Sequence, residues 1–234
     1  MKQEDSIVPT HVGIIMDGNR RWAKAHGVTT AEGHKQGYLT LKHIARAGLK
    51  RGIKYMSAYA FSTENWSRDK KEVADIMSLL AYGLKHEIKE LNKDGIRVRF
   101  LGSKSRLKFG AATVRALIRA EELTKNNDKA TLMSCLDYGG HDEIVEAVKR
   151  IAKLGYKPED ITPELIAQHL YAPDIPAPDL IVRTSGEQRL SGFLLWGSAY
   201  SELAFVQKAW PDFDEQALDD VLADYANRQR RFGR

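Results

Sequence analysis

The run Val12–Met16 carries no polar side chain and stops abruptly at Asp17. A strand of that kind is buried on both faces, which is the habit of strands in parallel sheets covered by helices. Further apolar runs at 54–61, 96–102, 130–138, 179–184 and 203–206 read as strands. Helical periodicity fills 33–51, 71–92, 106–125, 141–153, 163–170 and 215–231. The alternation predicts an α/β fold: one domain with a mostly parallel, six-stranded sheet surrounded by helices. A chain of 234 residues fits a single domain over 1–234, with residues 1–10 read as a flexible N-terminal segment. Helix 71–92 shows a clean apolar stripe at Val73, Ile76, Met77, Leu80, Leu84, Ile88 and Leu91, which predicts core packing. Ligands of such folds bind beyond the carboxyl ends of the strands, and several polar clusters here lie just there.

The first cluster is Asp17-Gly-Asn-Arg-Arg-Trp22. Asp17 can hold Mg2+, and Arg20 and Arg21 can hold phosphate oxygens, so the pattern suits a polyanion beside a metal ion. The second is Ser62-Thr-Glu-Asn-Trp-Ser-Arg68, after the strand at 54–61. Ser62 or Thr63 also reads as the cap of the helix that follows. The third is Asp179 to Ser191, where a strand ends at Arg183 and Arg189 and Ser191 follow a Ser-Gly turn. Two arginines and a serine around a turn suit a diphosphate clamp, and surface salt bridges are the equal alternative. Phe193–Trp196 reads as a buried strand or core segment. Glu202, a lone carboxylate among apolar residues, needs an arginine or a metal as partner.

Lys plus Arg outnumber Asp plus Glu by 36 to 31, a net charge of +5. That excess suits phosphate ligands, anionic lipid or nucleic acid without choosing among them. The charges are dispersed and no nucleic-acid recognition motif is present, so nucleic acid is not expected as a partner. The lone Cys135 excludes an intrachain disulfide and reads as a small core residue. No secretory signal or membrane-spanning run is present in the sequence, which predicts a cytoplasmic protein.

Taken in order, HVGIIMDGNRRWAK, EGHKQG, AYAFSTENWSR, DYGG, DLIVRTSGEQRLSGFLLW, AYSEL and WPDF resemble the cis-prenyltransferases, above all the bacterial undecaprenyl diphosphate synthases. The resemblance runs from His11 to Gly233. It implies a homodimer with an apolar substrate tunnel, condensing farnesyl diphosphate or another allylic diphosphate with successive isopentenyl diphosphates. It implies Mg2+ as cofactor, with Asp17 as a catalytic metal ligand and Glu202 as a second ligand near the dimer interface. Gly18, Asn19, Arg20 and Arg21 would wrap the allylic diphosphate, with His34 nearby. Trp22, Trp66 and Arg68 match substrate-contact positions, and Ser62, Thr63 and Glu64 would line the site. Asn65 is the family's usual candidate for proton removal, although an amide, a neutral imidazole or the departing diphosphate could each serve. Arg183, Arg189, Leu190 and Ser191 fall at the isopentenyl diphosphate site. Arg231 and Gly233 match a tail motif that reaches the partner subunit. An undecaprenyl product would be the precursor of the peptidoglycan lipid carrier. Its release implies peripheral contact with the inner membrane face.

The chain departs from the pattern in places. Arg20 stands where many bacterial members have Gly. Thr30 replaces an arginine common in the family, which removes one phosphate contact that Arg20 could supply instead. Gly192 and Gly197 replace frequent polar residues. A short-chain cis-synthase or a head-to-middle coupling enzyme would keep most of these motifs. A non-catalytic partner subunit would have shed them, and trans-prenyltransferases are excluded by the absence of paired DDxxD motifs.

Overall fold

The computed structural model describes residues 8–102 and 107–228. The Arg231 and Gly233 positions and most of the N-terminal segment lie outside the described residues; the helix expected to reach 231 ends at Asn227, with Arg228 already in extended backbone.

Six strands form one sheet: β1 His11–Ile15, β2 Tyr55–Ser62, β3 Ile96–Leu101, β4 Ala130–Tyr138, β5 Leu180–Arg183 and β6 Glu202–Phe205. Their order is β3-β4-β2-β1-β5-β6 and every pairing is parallel. The helices are α1 Asn19–Ala25, α2 Thr30–Lys50, α3 Lys70–His86, α4 Ile88–Lys93, α5 Gly110–Thr124, α6 Gly140–Leu154, α7 Pro163–Gln168 and α8 Glu215–Asn227. All five residues of β1 are buried, as its unbroken apolar sequence predicts.

Side chains on a strand alternate between faces, and that alternation divides the core. Val12, Ile14, Met56, Leu180 and Val182 pack with Ile44 of α2, Trp210 and Leu218. Ile15, Met133, Cys135 and Ile181 point the other way, onto Phe193 and Tyr138. A third cluster joins Phe61, Val98, Phe100 and Leu136 to Ile88 and to Leu117 of α5. Cys135 is fully buried, the small core residue expected.

Three expectations are corrected. The predicted helix 71–92 is two helices that part at Glu87, whose backbone caps both. Its N-cap is Asp69, whose carboxylate accepts from the Lys71 N–H at 2.8 Å and the Glu72 N–H at 3.3 Å. Ser62 instead precedes a separate 3-10 turn, Thr63–Ser67. Of the two alternatives for Phe193–Trp196 the strand is overturned, since the segment is a chain of turns, while the core-segment reading holds for the buried Phe193 and Leu194.

At the foot of β1 the His11 ring is buried between Pro176 O, 2.7 Å from Nδ1, and Ser57 Oγ, 2.8 Å from Nε2. A carbonyl only accepts, so Nδ1 carries the proton, and in the neutral ring Nε2 accepts from the Ser57 hydroxyl. Burial holds the His11 pKa below its ordinary 6.5, against the Pro176 carbonyl and Asp179. The unfolded chain therefore takes up a proton first as the pH falls, and stability drops below pH 6.5. The slope for one group is at most about 1.4 kcal/mol per pH unit. Denaturant titrations from pH 7 to 5 should show a shallower loss in His11→Gln than in the parent. Identical slopes would remove His11 from the acid limb.

Candidate functional site

In the sheet, β1 has β2 on one side and β5 on the other, so the connections diverge between β1 and β5. That is a topological switch point, where ligands of open α/β sheets bind. Two charged groups meet there. Asp17 follows β1, and Arg183 is the last residue of β5, in register with Ile15. Arg183 Nη2 donates to Asp17 Oδ2 at 2.8 Å. Arg183 Nη1 donates to Ser191 Oγ at 2.8 Å and to the Arg189 carbonyl at 2.5 Å.

The Asp17 backbone is held as firmly as its side chain. Its carbonyl accepts from Thr184 Oγ1 at 2.7 Å and from the Trp210 N–H at 2.9 Å. Gly18 then turns the chain at φ 107°, in the left-handed region. A Cβ there would sit 2.7 Å from Ser185 Oγ, so conformation and space both require glycine. α1 starts at once, and Arg21 Nη2 comes back to 3.4 Å from Asp17 Oδ1. Burial would raise the Asp17 pKa, but the bonded Arg183 guanidinium and the Arg21 charge outweigh it. The carboxyl lies below the ordinary aspartate range and is ionised at neutral pH.

Facing Asp17 is the loop 184–192. Ser185, Gly186, Ser191 and Gly192 all have positive φ, between 49° and 79°. Left-handed serines are strained, by about 1–2 kcal/mol each. Such strain gathers where a loop is held to a shape by its surroundings. Glu187 accepts from Arg21 Nη1 at 3.0 Å and from Arg189 Nη1 at 2.5 Å, which ties both arginines to one carboxylate.

From this rim a cavity of about 750 Å3 runs between the sheet and helices α2, α3 and α4. Asp17, Gly18, Asn19, Arg20, Arg21, Lys24, Thr30, His34, Asn65 and Arg68 line its mouth. Its body is apolar, with Leu41, Ala45, Leu49, Ile76, Met77, Leu80, Leu84, Ile88 and Leu91 facing Met56, Val98, Leu132 and Leu136 of the sheet. The apolar stripe expected to fill the core thus also walls a cavity.

At the mouth, Glu72 accepts from Arg68 Nη1 and lies against His34 Nε2, each at 3.1 Å. Burial lowers the His34 pKa, Glu72 opposes this, and Arg68 and Arg20 add to it. The net shift is below 6.5, so the ring is mainly neutral at pH 7. Asn65 lines the cavity with Oδ1 accepting from the Ser62 N–H at 3.2 Å, which leaves that oxygen one further lone pair.

Other sequence-predicted residues do not reach the cavity wall. Trp22 stacks on His26 at 4.1 Å and donates from Nε1 to Asp212 Oδ1 at 2.7 Å. Trp66 packs against Phe61 and Phe109 and donates to Asp137 Oδ1 at 2.7 Å. Ser62, Thr63 and Glu64 form the turn that carries Asn65, and Leu190 packs on the Phe193 cluster. Glu202 opens β6 level with Leu180 and Val12, at the opposite edge of the sheet. Within one chain it is roughly 16 Å from Asp17 along the strand direction. Its partner is Arg228, at 2.9 Å, the arginine alternative the sequence left open. Among the described residues no group of three acidic, histidine or cysteine side chains could hold a metal alone. Asp17 with the phosphates of a substrate does fit Mg2+, which takes one or two carboxylates and completes its shell with phosphate and water.

Sequence reading missed Glu72, Glu187, Asp137 and Asp212 as partners of these groups. Helical spacing pairs Glu72 with Arg68, but nothing local links it to His34.

A guanidinium-rich rim at the switch point of an α/β sheet, with an apolar cavity behind it, has the chemistry to suit a diphosphate with a hydrocarbon tail. The comparisons give that class a family. A family model described as "Putative undecaprenyl diphosphate synthase" matches residues 15–233. The chain is 46% identical over 232 residues to isoprenyl transferase 2 of Bradyrhizobium diazoefficiens, covering 97% of this chain and 91% of that one. It is 46% identical over 230 residues to decaprenyl diphosphate synthase of Mycobacterium bovis, covering 97% and 77%. A crystal structure of lavandulyl diphosphate synthase from Lavandula x intermedia, in complex with dimethylallyl diphosphate, superposes with a TM-score of 0.92 at 38% identity. It covers 99% of this chain and 100% of that one. The chain belongs to this prenyltransferase family.

His34 should titrate below 6.5, and lower still in Glu72→Gln, because the carboxylate that favours the imidazolium is gone. Histidine NMR titration checks both; a value unmoved by the substitution would contradict the His34–Glu72 contact.

Proposed function

We propose that this prenyltransferase is a Mg2+-dependent cis-polyprenyl diphosphate synthase that adds isopentenyl diphosphate repeatedly to farnesyl diphosphate, with undecaprenyl diphosphate as product. The observation that carries the reading is the charged rim opening into a largely apolar cavity of about 750 Å3. Each methylene-sized group drawn from water into such a wall is worth about 0.8 kcal/mol, so every added isoprene unit favours threading inward.

The allylic diphosphate would lie at the mouth, on Gly18, Asn19, Arg20 and Arg21, with its tail inward. Lys24 and Arg20 border the same cavity as Thr30, and would offset the arginine that Thr30 replaces. Isopentenyl diphosphate would be held by Arg183, Arg189 and Ser191, one ion pair away from Asp17. When bound by Asp17 and the diphosphate, Mg2+ would neutralise charge on the leaving oxygen. The allylic C–O bond breaks with its electron pair going to diphosphate. The isopentenyl double bond supplies the electrons for the new C–C bond. The arginines stabilise the departing charge. The tertiary cation that remains loses a proton from the methylene between it and the diphosphate-bearing carbon, which forms the new double bond and leaves an allylic diphosphate ready for the next addition. Neutral His34, Asn65 and the departing diphosphate are all within the mouth's chemistry for that weak-base task.

A homodimer completes the reading. Glu202 sits away from Asp17 within its own chain, so a second copy would have to bring it to the site. The product is the precursor of a peptidoglycan lipid carrier, made in the cytoplasm and released at the inner membrane face. No helix among the described residues is long and apolar enough to cross a membrane, so the contact would be peripheral. A second reading, a short-chain or head-to-middle synthase, draws on the likeness to lavandulyl diphosphate synthase.

The test is product length. Purified protein, farnesyl diphosphate, labelled isopentenyl diphosphate, Mg2+ and mild detergent should give a ladder ending at undecaprenyl length. Asp17→Ala should lower turnover by about 10^2–10^3-fold or more. A single short product would favour the second reading. No incorporation with any allylic starter would contradict both.

A further inference from the structure

The junction of β4 and α6, Asp137-Tyr-Gly-Gly140, touches two separate parts of the site. On one side lies the turn Thr63–Ser67, which carries Asn65. Trp66 of that turn donates from Nε1 to Asp137 Oδ1 at 2.7 Å. A Cβ on Gly139 would stand 2.9 Å from Thr63 Oγ1, so the turn seats there because Gly139 has none. On the other side lies the loop 184–192. The Gly140 N–H donates to the Gly192 carbonyl at 2.9 Å, and a Cβ on Gly140 would stand 2.4 Å from that oxygen. The Tyr59 hydroxyl is shared between the Tyr138 and Ser191 carbonyls, 3.3 Å from each. Four consecutive residues thus set how far the Asn65 turn stands from Ser191.

The backbone places Asp137 for this contact. β2 and β4 pair in step from Tyr55 with Thr131 to Tyr59 with Cys135, then slip. Phe61 pairs with Leu136 and Ser62 with Tyr138, which leaves Asp137 as an extra residue. A bulge of this kind re-aims a side chain, and bulges gather beside active sites. Asp137 has φ 49°, in the left-handed region where Asp and Asn are the best tolerated residues after glycine. It is only 5% exposed. A buried carboxyl is costly unless hydrogen-bonded, and the Trp66 indole supplies such a bond.

The indole in turn is clamped. Its ring packs on Phe61 and Phe109, with centroids 4.8 and 5.4 Å away, and Lys108 Nζ lies 5.5 Å from its centroid. Asn65 is tied into the same turn, since its Oδ1 accepts from the Ser62 N–H. Whatever fixes Trp66 therefore fixes Asn65 with it.

We propose that Asp137 is a positioning residue for the condensation. Through the Trp66 indole it holds the Asn65 turn at a set place against the isopentenyl diphosphate clamp of Arg183, Arg189 and Ser191. The inference rests on the proposed polyprenyl diphosphate synthase activity and adds a residue that acts on it only through Trp66. The allylic diphosphate would be held from β1 and α1, outside this chain of contacts, so its affinity is independent of Asp137.

The experiment compares Asp137→Gly, Asp137→Asn, Trp66→Phe and the double variant Asp137→Gly/Trp66→Phe, with farnesyl diphosphate, isopentenyl diphosphate and Mg2+. Glycine suits the left-handed backbone and removes the acceptor. Asparagine keeps a carbonyl oxygen in its place. Trp66→Phe removes the donor and leaves the β4 backbone intact, so a misfolded Asp137→Gly would not hide the result. Single-turnover condensation at saturating substrates should fall by about 10^2-fold in Asp137→Gly, the size expected for a displacement of about 1 Å at the reacting centre. Trp66→Phe should fall at least as far, and the double variant no further than Trp66→Phe, because both remove one bond. Asp137→Asn should recover most of the rate, and KM for both substrates should stay close to the parent's. The Trp66 indole N–H resonance, assigned by its loss in Trp66→Phe, should move in Asp137→Gly. A parental condensation rate in Asp137→Gly would overturn the proposal, as would a loss confined to KM, losses that multiply in the double variant, or an Asp137→Asn as slow as Asp137→Gly. Absence of condensation in the parent protein with any allylic starter would instead overturn the activity on which the proposal rests.

Discussion

The ion pair between Asp17 and Arg183 joins the ends of two adjacent parallel strands, and the rest of the site is arranged around it. The two residues are 166 positions apart in sequence. They meet only because β5 pairs with β1 on the side away from β2, which makes their carboxyl ends a crevice. Arg183 faces Asp17 with one nitrogen and the strained 184–192 loop with the other. A shift of either strand by one residue would turn one of these side chains to the opposite face. The pair also sets the charge state of the crevice: Arg183 and Arg21 keep Asp17 ionised although it is partly buried.

In the proposed reading, that crevice and the apolar cavity behind it divide the work of holding one kind of molecule. Guanidinium groups and an ionised carboxylate suit a diphosphate with its metal, and a wall of Leu, Ile, Met and Val suits a hydrocarbon. Neither half explains the other. A diphosphate clamp alone would need no cavity, and an apolar cavity alone would need no cluster of arginines at its mouth. In the proposed reaction, the charged end stays fixed while the apolar end grows.

Much of this was legible in the sequence, for stated physical reasons. An unbroken apolar run is the signature of a strand buried on both faces, and β1 is buried throughout. Asp17, Arg20, Arg21 and Arg183 stood at predicted strand ends, and the parallel sheet puts them at one edge. What was not legible depended on contacts across space. The break at Glu87 left no mark on the apolar stripe, because Leu84, Ile88 and Leu91 keep helical spacing through it. Helix α1 spans only 7 residues, too short for periodicity to register. Nothing local to Glu202 announced that within one chain its partner is Arg228, 26 residues on. The Trp22 and Trp66 indole N–H groups each bond an aspartate that no local pattern points to.

The central claim is that Asp17 and Arg183, though bonded to each other, serve different substrates. Calorimetric titration of a non-reacting thiolo analogue of the allylic diphosphate tests it most directly, with and without Mg2+, alongside isopentenyl diphosphate alone. The account predicts that Mg2+ tightens the analogue by about tenfold or more in the parent protein. That gain should vanish in Asp17→Asn, which should still bind isopentenyl diphosphate, whereas Arg183→Met should show the reverse. Undiminished Mg2+-dependent tightening in Asp17→Asn would contradict the account.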